Sequence, residues 1–269
     1  MQIIHRVTLS ATPDDRVSLA RWGVSVGEGF ASFEVDEAHP DWARLRDWMA
    51  GREVVDVVTT KFSKGELAGA DWLQMEPTWH HGYPQPAEKE FGYRQATYDL
   101  TNWCEKCGSG LKQKGPFQMK GEPRWGRNGI LQLNWVFDEF FVTPEVWASV
   151  FEPNQIACQP VTNRDGAELK TVVQLVVDGE VAILGEGLPV ERCSRCGRSK
   201  FLPTMRGFFP ALMGKPSRSM VKTEAFFGSG ARAHREMLVA RPLAQALTVA
   251  RVRGVSLRPA GTSHAESRA

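Results

Sequence analysis

Cys104-Glu105-Lys106-Cys107-Gly108 and Cys193-Ser194-Arg195-Cys196-Gly197 are two copies of one pattern, C-x-x-C-G, with the 85 residues 108–192 between Cys107 and Cys193. Two intervening residues let both thiolates of a pair face one ion, and the glycine that follows can take the positive-φ turn that bulkier residues resist. Two such knuckles supply four sulfur ligands, the number of a closed tetrahedral zinc site with Zn–S bonds of about 2.3 Å and no position open to water. The expectation is one structural Zn2+ on Cys104, Cys107, Cys193 and Cys196. A dithiol redox site and separate metals are the alternatives; nothing around either pair suggests a thioredoxin-like context, and redox action would leave the second pair unexplained. The long spacing is compatible with a shared site. Loop-closure entropy grows only logarithmically with length, while a structural zinc contributes on the order of 10 kcal/mol or more. The fifth cysteine, Cys158 in QIACQP, reads as a small buried hydrophobe.

Outward from the cysteines, alternation in YRQATYDLTNW predicts a strand from Gly92 into Cys104. LKQKGPFQM reads as its return, broken at Gly115-Pro116, so the first pair sits at a strand-to-strand turn. Ile130–Val136 is another strand candidate. Thr143-Pro144-Glu145 starts a helix by capping, with Val146, Trp147, Val150 and Phe151 as its apolar stripe. LKTVVQLVV, Leu169 to Val177, is the most strand-like run, continued by Val181–Leu184 after Asp178-Gly179. The composition of ARAHREMLV (231–239) favours helix, and Pro242–Val252 is a second helix candidate.

Upstream of residue 90, the sequence predicts strands around 18–35, a helix from Asp41 to Trp48 with Asp41 as its cap, and a strand over Glu53–Thr60. PTWHHGYPQPAEKE (77–90) reads as a loop and boundary. The fold class is therefore α+β: a zinc-ribbon-like knuckle pair with a long α+β insertion. Its divisions are an N-terminal α+β segment over 1–89, a zinc-containing α+β domain over 90–260, and a small polar tail over 261–269 expected to be disordered.

The net charge of +2 hides an asymmetry: residues 1–189 carry 18 basic and 27 acidic side chains, net −9, and residues 190–269 carry 15 and 4, net +11. A basic third can attract phosphates or an acidic partner, or sit against the acidic remainder of its own chain. With 42% hydrophobic residues, disorder is excluded as the main state. No run approaches the roughly eighteen apolar residues of a membrane span, and the opening MQIIHRVTLSATPDD lacks a signal peptide's apolar core, so a cytoplasmic protein without membrane contact is expected.

Other candidates carry less. His80-His81 beside Trp79 and Tyr83 could bind a ligand, but read as surface or packing residues. Asp138-Glu139 could do acid–base work, yet neighbours on a strand face opposite ways, which favours a cap or salt-bridge role. His234 has no Ser or Cys partner in sight. Arg192, Arg195, Arg198, Lys200 and Arg206 around the second knuckle, with nine Trp in the chain, could hold nucleic acid by phosphate contact and stacking. An enzyme would need a concave pocket near His80, His81 or Asp138 with convergent polar groups.

The duplicated C-x-x-C-G, LQLNWVFDEFFVTPEVW (131–147), CGRSKFLP (196–203) and EAFFGSGARAHREMLVARPLAQAL (224–247) with RGVSLRP (253–259) together resemble the bacterial double C-x-x-C-G motif proteins. The closing segment is similar to that of immunity proteins encoded beside polymorphic toxins. The resemblance covers residues 90–260 and implies a zinc-ribbon-containing α+β protein without catalytic activity that binds a protein partner, such as a cognate toxin. Its metal ligands fall on Cys104, Cys107, Cys193 and Cys196. Arg241 stands where a helix-capping Ser is expected, which casts doubt on that cap and not on the metal. The functional expectation is a non-enzymatic zinc protein acting by protein–protein interaction, a toxin-neutralising immunity protein, with a nucleic-acid-binding zinc ribbon as the alternative.

Overall fold

A computed structural model describes residues 1–87 and 91–262. The chain divides into two compact units, Met1–Glu66 with Thr204–Gly207, and Leu67–Pro203 with Phe208 onward.

In the first unit, β1 (Gln2–Ala11) lies between β2 (Gly29–Asp36) and β3 (Val55–Lys61) in an antiparallel sheet. Period-2 alternation sends Val7, Leu9, Ala11, Ala31, Phe33 and Val35 to one face, where they pack on Leu19 of α1 (Pro13–Arg21) and on Leu45, Trp48 and Met49 of α2 (Trp42–Ala50). The strands expected around 18–35 are half replaced. Thr12 and Asp15 form a reciprocal capping box and Pro13 occupies the first turn, so Val17–Arg21 is helical and only β2 is extended. Helix α2 lies where expected, but the Asp41 carboxylate bonds Arg44 at 2.8 Å and does not cap it.

The division falls within a short helix, α3 (Lys64–Gly69), and not near residue 89. The reason is β4 (Trp72–Pro77), which pairs with β17 (Met237–Ala240) on one side and β18 (Val255–Pro259) on the other. The second unit continues through α4 (Tyr93–Thr97), β5 (Tyr98–Asp99), β6 (Lys112–Gln113), β7 (Ile130–Leu131), β8 (Phe141–Val142) and α5 (Pro144–Val146). Next come β9 (Ala157–Thr162), β10 (Glu168–Val176), β11 (Glu180–Ile183), β12 (Val190–Arg192), β13 (Ser199–Phe201), β14 (Leu212–Met213), β15 (Met220–Thr223) and β16 (Phe226–Phe227). Helix α6 (Arg241–Val249) separates β17 from β18.

Two sheets dominate this unit, with orders β7-β8-β10-β9 and β14-β11-β15-β17-β4-β18. Leu73, Met75, Met220, Met237 and Val239 from the larger share one core with Ile130, Val142 and Leu175 from the smaller, together with Leu243 and Leu247 of α6. The alternate residues fill second layers on the outer faces: Leu131, Phe141 and Val172 in one, Val221 and Leu238 in the other. Both sheets are thus buried on both faces, which is why strands such as Met237–Ala240 read as continuous apolar runs. The molecule is a mixed α+β structure with more strand than helix, and no helix among the described residues is long and apolar enough to cross a membrane.

Four further expectations change. The segment from Gly92 forms α4 before the two-residue β5; ARAHREMLV turns into β17 because Met237, Leu238 and Val239 are all buried between neighbouring strands. Val181–Ile183 does not fold back on β10 but joins the other sheet, parallel to β15. Ile130–Val136 is cut short at Leu131, since Trp135 takes a left-handed φ of 71°. The helix start at Thr143 is as read: its hydroxyl accepts from the Val146 amide, and the helix runs on as a π turn over Trp147–Phe151. The tail expected to be disordered lies outside the described residues from 263 on.

Candidate metal centre

Each cysteine pair sits at the tip of a hairpin. β5 and β6 pair through Tyr98 and Asp99 and hold Cys104 and Cys107 between them; β12 and β13 pair from Val190–Phe201 to Arg192–Ser199 and hold Cys193 and Cys196. The two turns repeat one hydrogen-bond scheme. Gly108 N donates to Cys104 O (2.7 Å) and Gly197 N to Cys193 O (3.0 Å), while Cys104 N and Cys193 N donate to Ser109 O and Arg198 O, both at 2.9 Å. Closing them demands positive φ at the glycines, and Gly108 has 81° and Gly197 74°.

All four sulfurs lie within 4.8 Å of one another. The closest contacts run between the turns: Cys104 to Cys193 at 3.8 Å and Cys107 to Cys196 at 3.6 Å. A tetrahedron with metal–sulfur bonds of about 2.3 Å has sulfur–sulfur edges of about 3.8 Å. These distances exceed the roughly 2.05 Å of a disulfide, and all four cysteines are free. Cys104, Cys107 and Cys193 are buried and Cys196 is exposed, so the cluster lies just under the surface with one edge to solvent.

The electrostatics favour the thiolate at Cys104 and Cys193 and oppose it at Cys196. The Cys196 and Arg195 amides hold the Cys193 thiol down at about 6, against desolvation. Cys104 is lowered by the Cys107 amide, again against burial. At Cys196 the Arg198 amide pulls down, but burial and proton sharing with the other three thiols push it up to about 11. Four thiols crowded together cannot all ionise unless a cation replaces their protons. The donor set and its spacing therefore fit one metal ion.

Cross-braces fix the two turns together. Lys106 Nζ donates to Ser194 Oγ (2.6 Å), and Arg198 donates to Asn102 O (2.6 Å) and Ser109 O (3.1 Å). Lys200, only 3% exposed, donates to Cys107 O (3.1 Å), Arg232 O (2.9 Å) and Gly230 O. Lys200 and Arg198 are thus bracing residues, a role the sequence did not signal, because both read as members of a basic patch. Of that patch, Arg192 donates to Gly197 O, Arg195 pairs with Glu105, and Arg206 pairs with Glu37 in the first unit; Arg192, Arg195 and Arg198 keep exposed surface.

The remaining candidates scatter. His80 bridges to Gln132, and His81 stacks on Trp79 at 5.2 Å beside a cleft of about 500 Å³. Cys158 lies in β9 and is only half-buried, not fully buried as expected, with its thiol pushed up by burial and then by Glu152. His234 is not helical: it bridges antiparallel to Phe227, and its Nε2 bonds Glu236 at 3.0 Å. Asp138 and Glu139 lie at a bend just before β8, and both line one cleft of about 810 Å³. Glu139 there forms an ion pair with Lys222 at 2.6 Å. Lys222, Gln174, Gln113 and Gln159 around it escaped the sequence reading, although a lysine directly after the apolar Met220-Val221 of a strand is an available signal.

No family model matches the chain, and no curated protein or solved structure is similar to it.

Proposed function

We propose that the chain is a zinc protein in which one Zn2+, held by Cys104, Cys107, Cys193 and Cys196, joins a zinc-ribbon-like pair of knuckles, and that it works by binding another protein and not by catalysis. The observation that carries the reading is the cluster of four sulfurs, all within 4.8 Å of one another, with contacts of 3.8 and 3.6 Å between the turns. Four thiolates saturate zinc and leave no position for water or substrate, so the ion's work is structural. The chemistry it supplies is cohesion: it replaces the thiol protons and ties the β5–β6 hairpin to the β12–β13 hairpin. Elemental analysis of the purified chain is expected to give one zinc per molecule; an absence of stoichiometric metal ends the proposal.

The partner class follows from the similarity of 224–259 to toxin-associated immunity proteins. Such a protein occludes its target by shape and charge complementarity and needs no reacting groups of its own. Co-expression with the product of an adjacent toxin-like reading frame is expected to restore growth. A neighbourhood without such a frame removes this part of the proposal.

A nucleic-acid-binding reading keeps one supporting observation, the exposed Arg192, Arg195 and Arg198 on the second turn. Its test is an anisotropy titration, in which phosphate recognition weakens by orders of magnitude as salt rises. No measurable binding at low salt dismisses it.

A further inference from the structure

We propose that the cleft lined by Asp138, Glu139 and Lys222 binds an organic cation, an ammonium or guanidinium group carried on an apolar body. The inference stands apart from the zinc reading.

The cleft, about 810 Å³, is of the size that receives small ligands or a side chain. Its floor is a closed polar network. Glu139, 7% exposed, accepts from Lys222 Nζ through Oε1 at 2.6 Å and from Gln174 Nε2 through Oε2 at 3.0 Å. Gln174 also donates to Gln113 Oε1 (2.8 Å) and accepts from Gln113 Nε2 (2.9 Å) and Gln159 Nε2 (2.8 Å). Every polar atom of Gln174 has a partner, so the floor is fixed before any ligand arrives.

Asp138 is the group this network leaves over. It is half-buried, and among the described residues its carboxylate has no hydrogen-bond or ion-pair partner. The other charges of the cleft are matched or at its exposed rim: Arg235 pairs with Glu180 and lies over the Phe226 ring, while Lys112, Lys114 and Asp178 face solvent. Two neighbouring carboxylates with one ammonium leave a negative charge in a concave, partly dry space. With burial the larger cause, that charge also helps hold the Tyr98 hydroxyl and the Glu139 carboxyl above their ordinary ranges. A cation completes the balance at the floor, where the one ammonium, Lys222, is already engaged by Glu139, while the other lysines of the cleft, Lys112 and Lys114, stand at its exposed rim.

The walls suit the apolar body of such a ligand. Tyr93, Tyr98, Phe137 and Trp135 line the cleft, and ring faces attract organic cations. Trp135 holds a left-handed φ of 71° and stacks on Tyr93, whose hydroxyl donates to its carbonyl at 3.4 Å. Strain at a bulky residue on a cleft wall is where binding sites commonly keep it.

The test is calorimetric titration of the zinc-loaded full chain with butylguanidinium and with its neutral isostere butylurea, then with the peptide acetyl-Gly-Arg-Gly-amide and its citrulline counterpart. One saturable site is expected, with at least about tenfold preference for the cation, and about tenfold weaker cation binding in Asp138→Asn. Butylguanidinium bound without the peptide assigns the site to a free small molecule; the peptide bound more tightly assigns it to a partner's arginine. No saturable binding of either cation, or equal affinity for butylurea, overturns the proposal on the unaltered chain; unchanged affinity in a folded Asp138→Asn overturns it independently.

Discussion

Gly108 and Gly197 occupy equivalent places in the two cysteine turns but differ in their surroundings. A Cβ on Gly108 would lie 2.3 Å from Ala231 O and 2.9 Å from Ala233 N, whereas nothing lies within 4 Å of one on Gly197. Gly197→Ala therefore meets only the left-handed backbone cost, about 1–2 kcal/mol. Gly108→Ala adds a backbone clash and is expected to cost about 3 kcal/mol or more. Thermal melts of the two variants beside their zinc content check the difference, and equal losses would contradict it. A second residue-scale expectation concerns His234. Burial alone would lower its pKa, but the hydrogen bond and charge of Glu236 override this and raise it above the ordinary value. With the folded value raised, the stabilisation is complete below about pH 6.5 and fades as pH climbs through the folded pKa. His234→Gln should flatten that stretch of the stability profile, read as urea midpoints between about pH 6 and 8. At this scale the cysteines were legible because ligand spacing is written locally. Lys200 was not: the carbonyls of Cys107, Gly230 and Arg232 converge on it only after three segments fold.

Elements announced themselves where local chemistry and tertiary packing agree. Thr143-Pro144 carries its own cap, and Leu169–Val177 is dense in β-branched residues, with Thr171, Val172, Val173, Val176 and Val177. Helix α1 had an equally local signal, Thr12-Pro13-Asp14-Asp15, which the later glycine-rich stretch obscured. The missed strand Met237–Ala240 is different in kind: nothing within ARAHREMLV outweighs its helical composition, and burial between β15 and β4 decides it. The α1 cap gives the element-scale prediction. Thr12 amide donation, then Arg52 and the Thr12 hydroxyl, hold Asp15 down at about 2. Because the folded value is depressed, its contribution is present above about pH 4 and is lost as pH falls toward 2. Asp15→Ala should remove about 1–2 kcal/mol at neutral pH. The loss should register as faster amide hydrogen exchange in Gln2–Arg21, with β17 and β18 unaffected; uniform acceleration would speak against it.

Across the second unit, the Glu139–Lys222 pair links the segment before β8 to β15 and, through Gln174, to β10. Neither partner alone is tolerated in such a place. Glu139→Leu or Lys222→Met should each cost about 3–5 kcal/mol, and the double variant much less than their sum. Denaturant titrations of the four proteins close this cycle, and simple additivity would rule out the coupling. At the same scale, Cys104→Ser or Cys196→Ser should lower zinc content and melting temperature together, because losing a ligand uncouples the hairpins. Chelation of the unaltered protein should reproduce the effect. The division at Glu66–Leu67 was hidden because β4 finds both neighbours about 160 to 180 residues downstream, a distance no local pattern encodes. That arrangement also sets an order of events during synthesis on the ribosome. All four thiols have been translated by Cys196, yet Leu73 and Met75 stay without flanking strands until Met237–Ala240 and Val255–Pro259 emerge. A message stopped just before Val255 would release a chain with an open apolar margin along β4, and the released product should collect in the insoluble fraction.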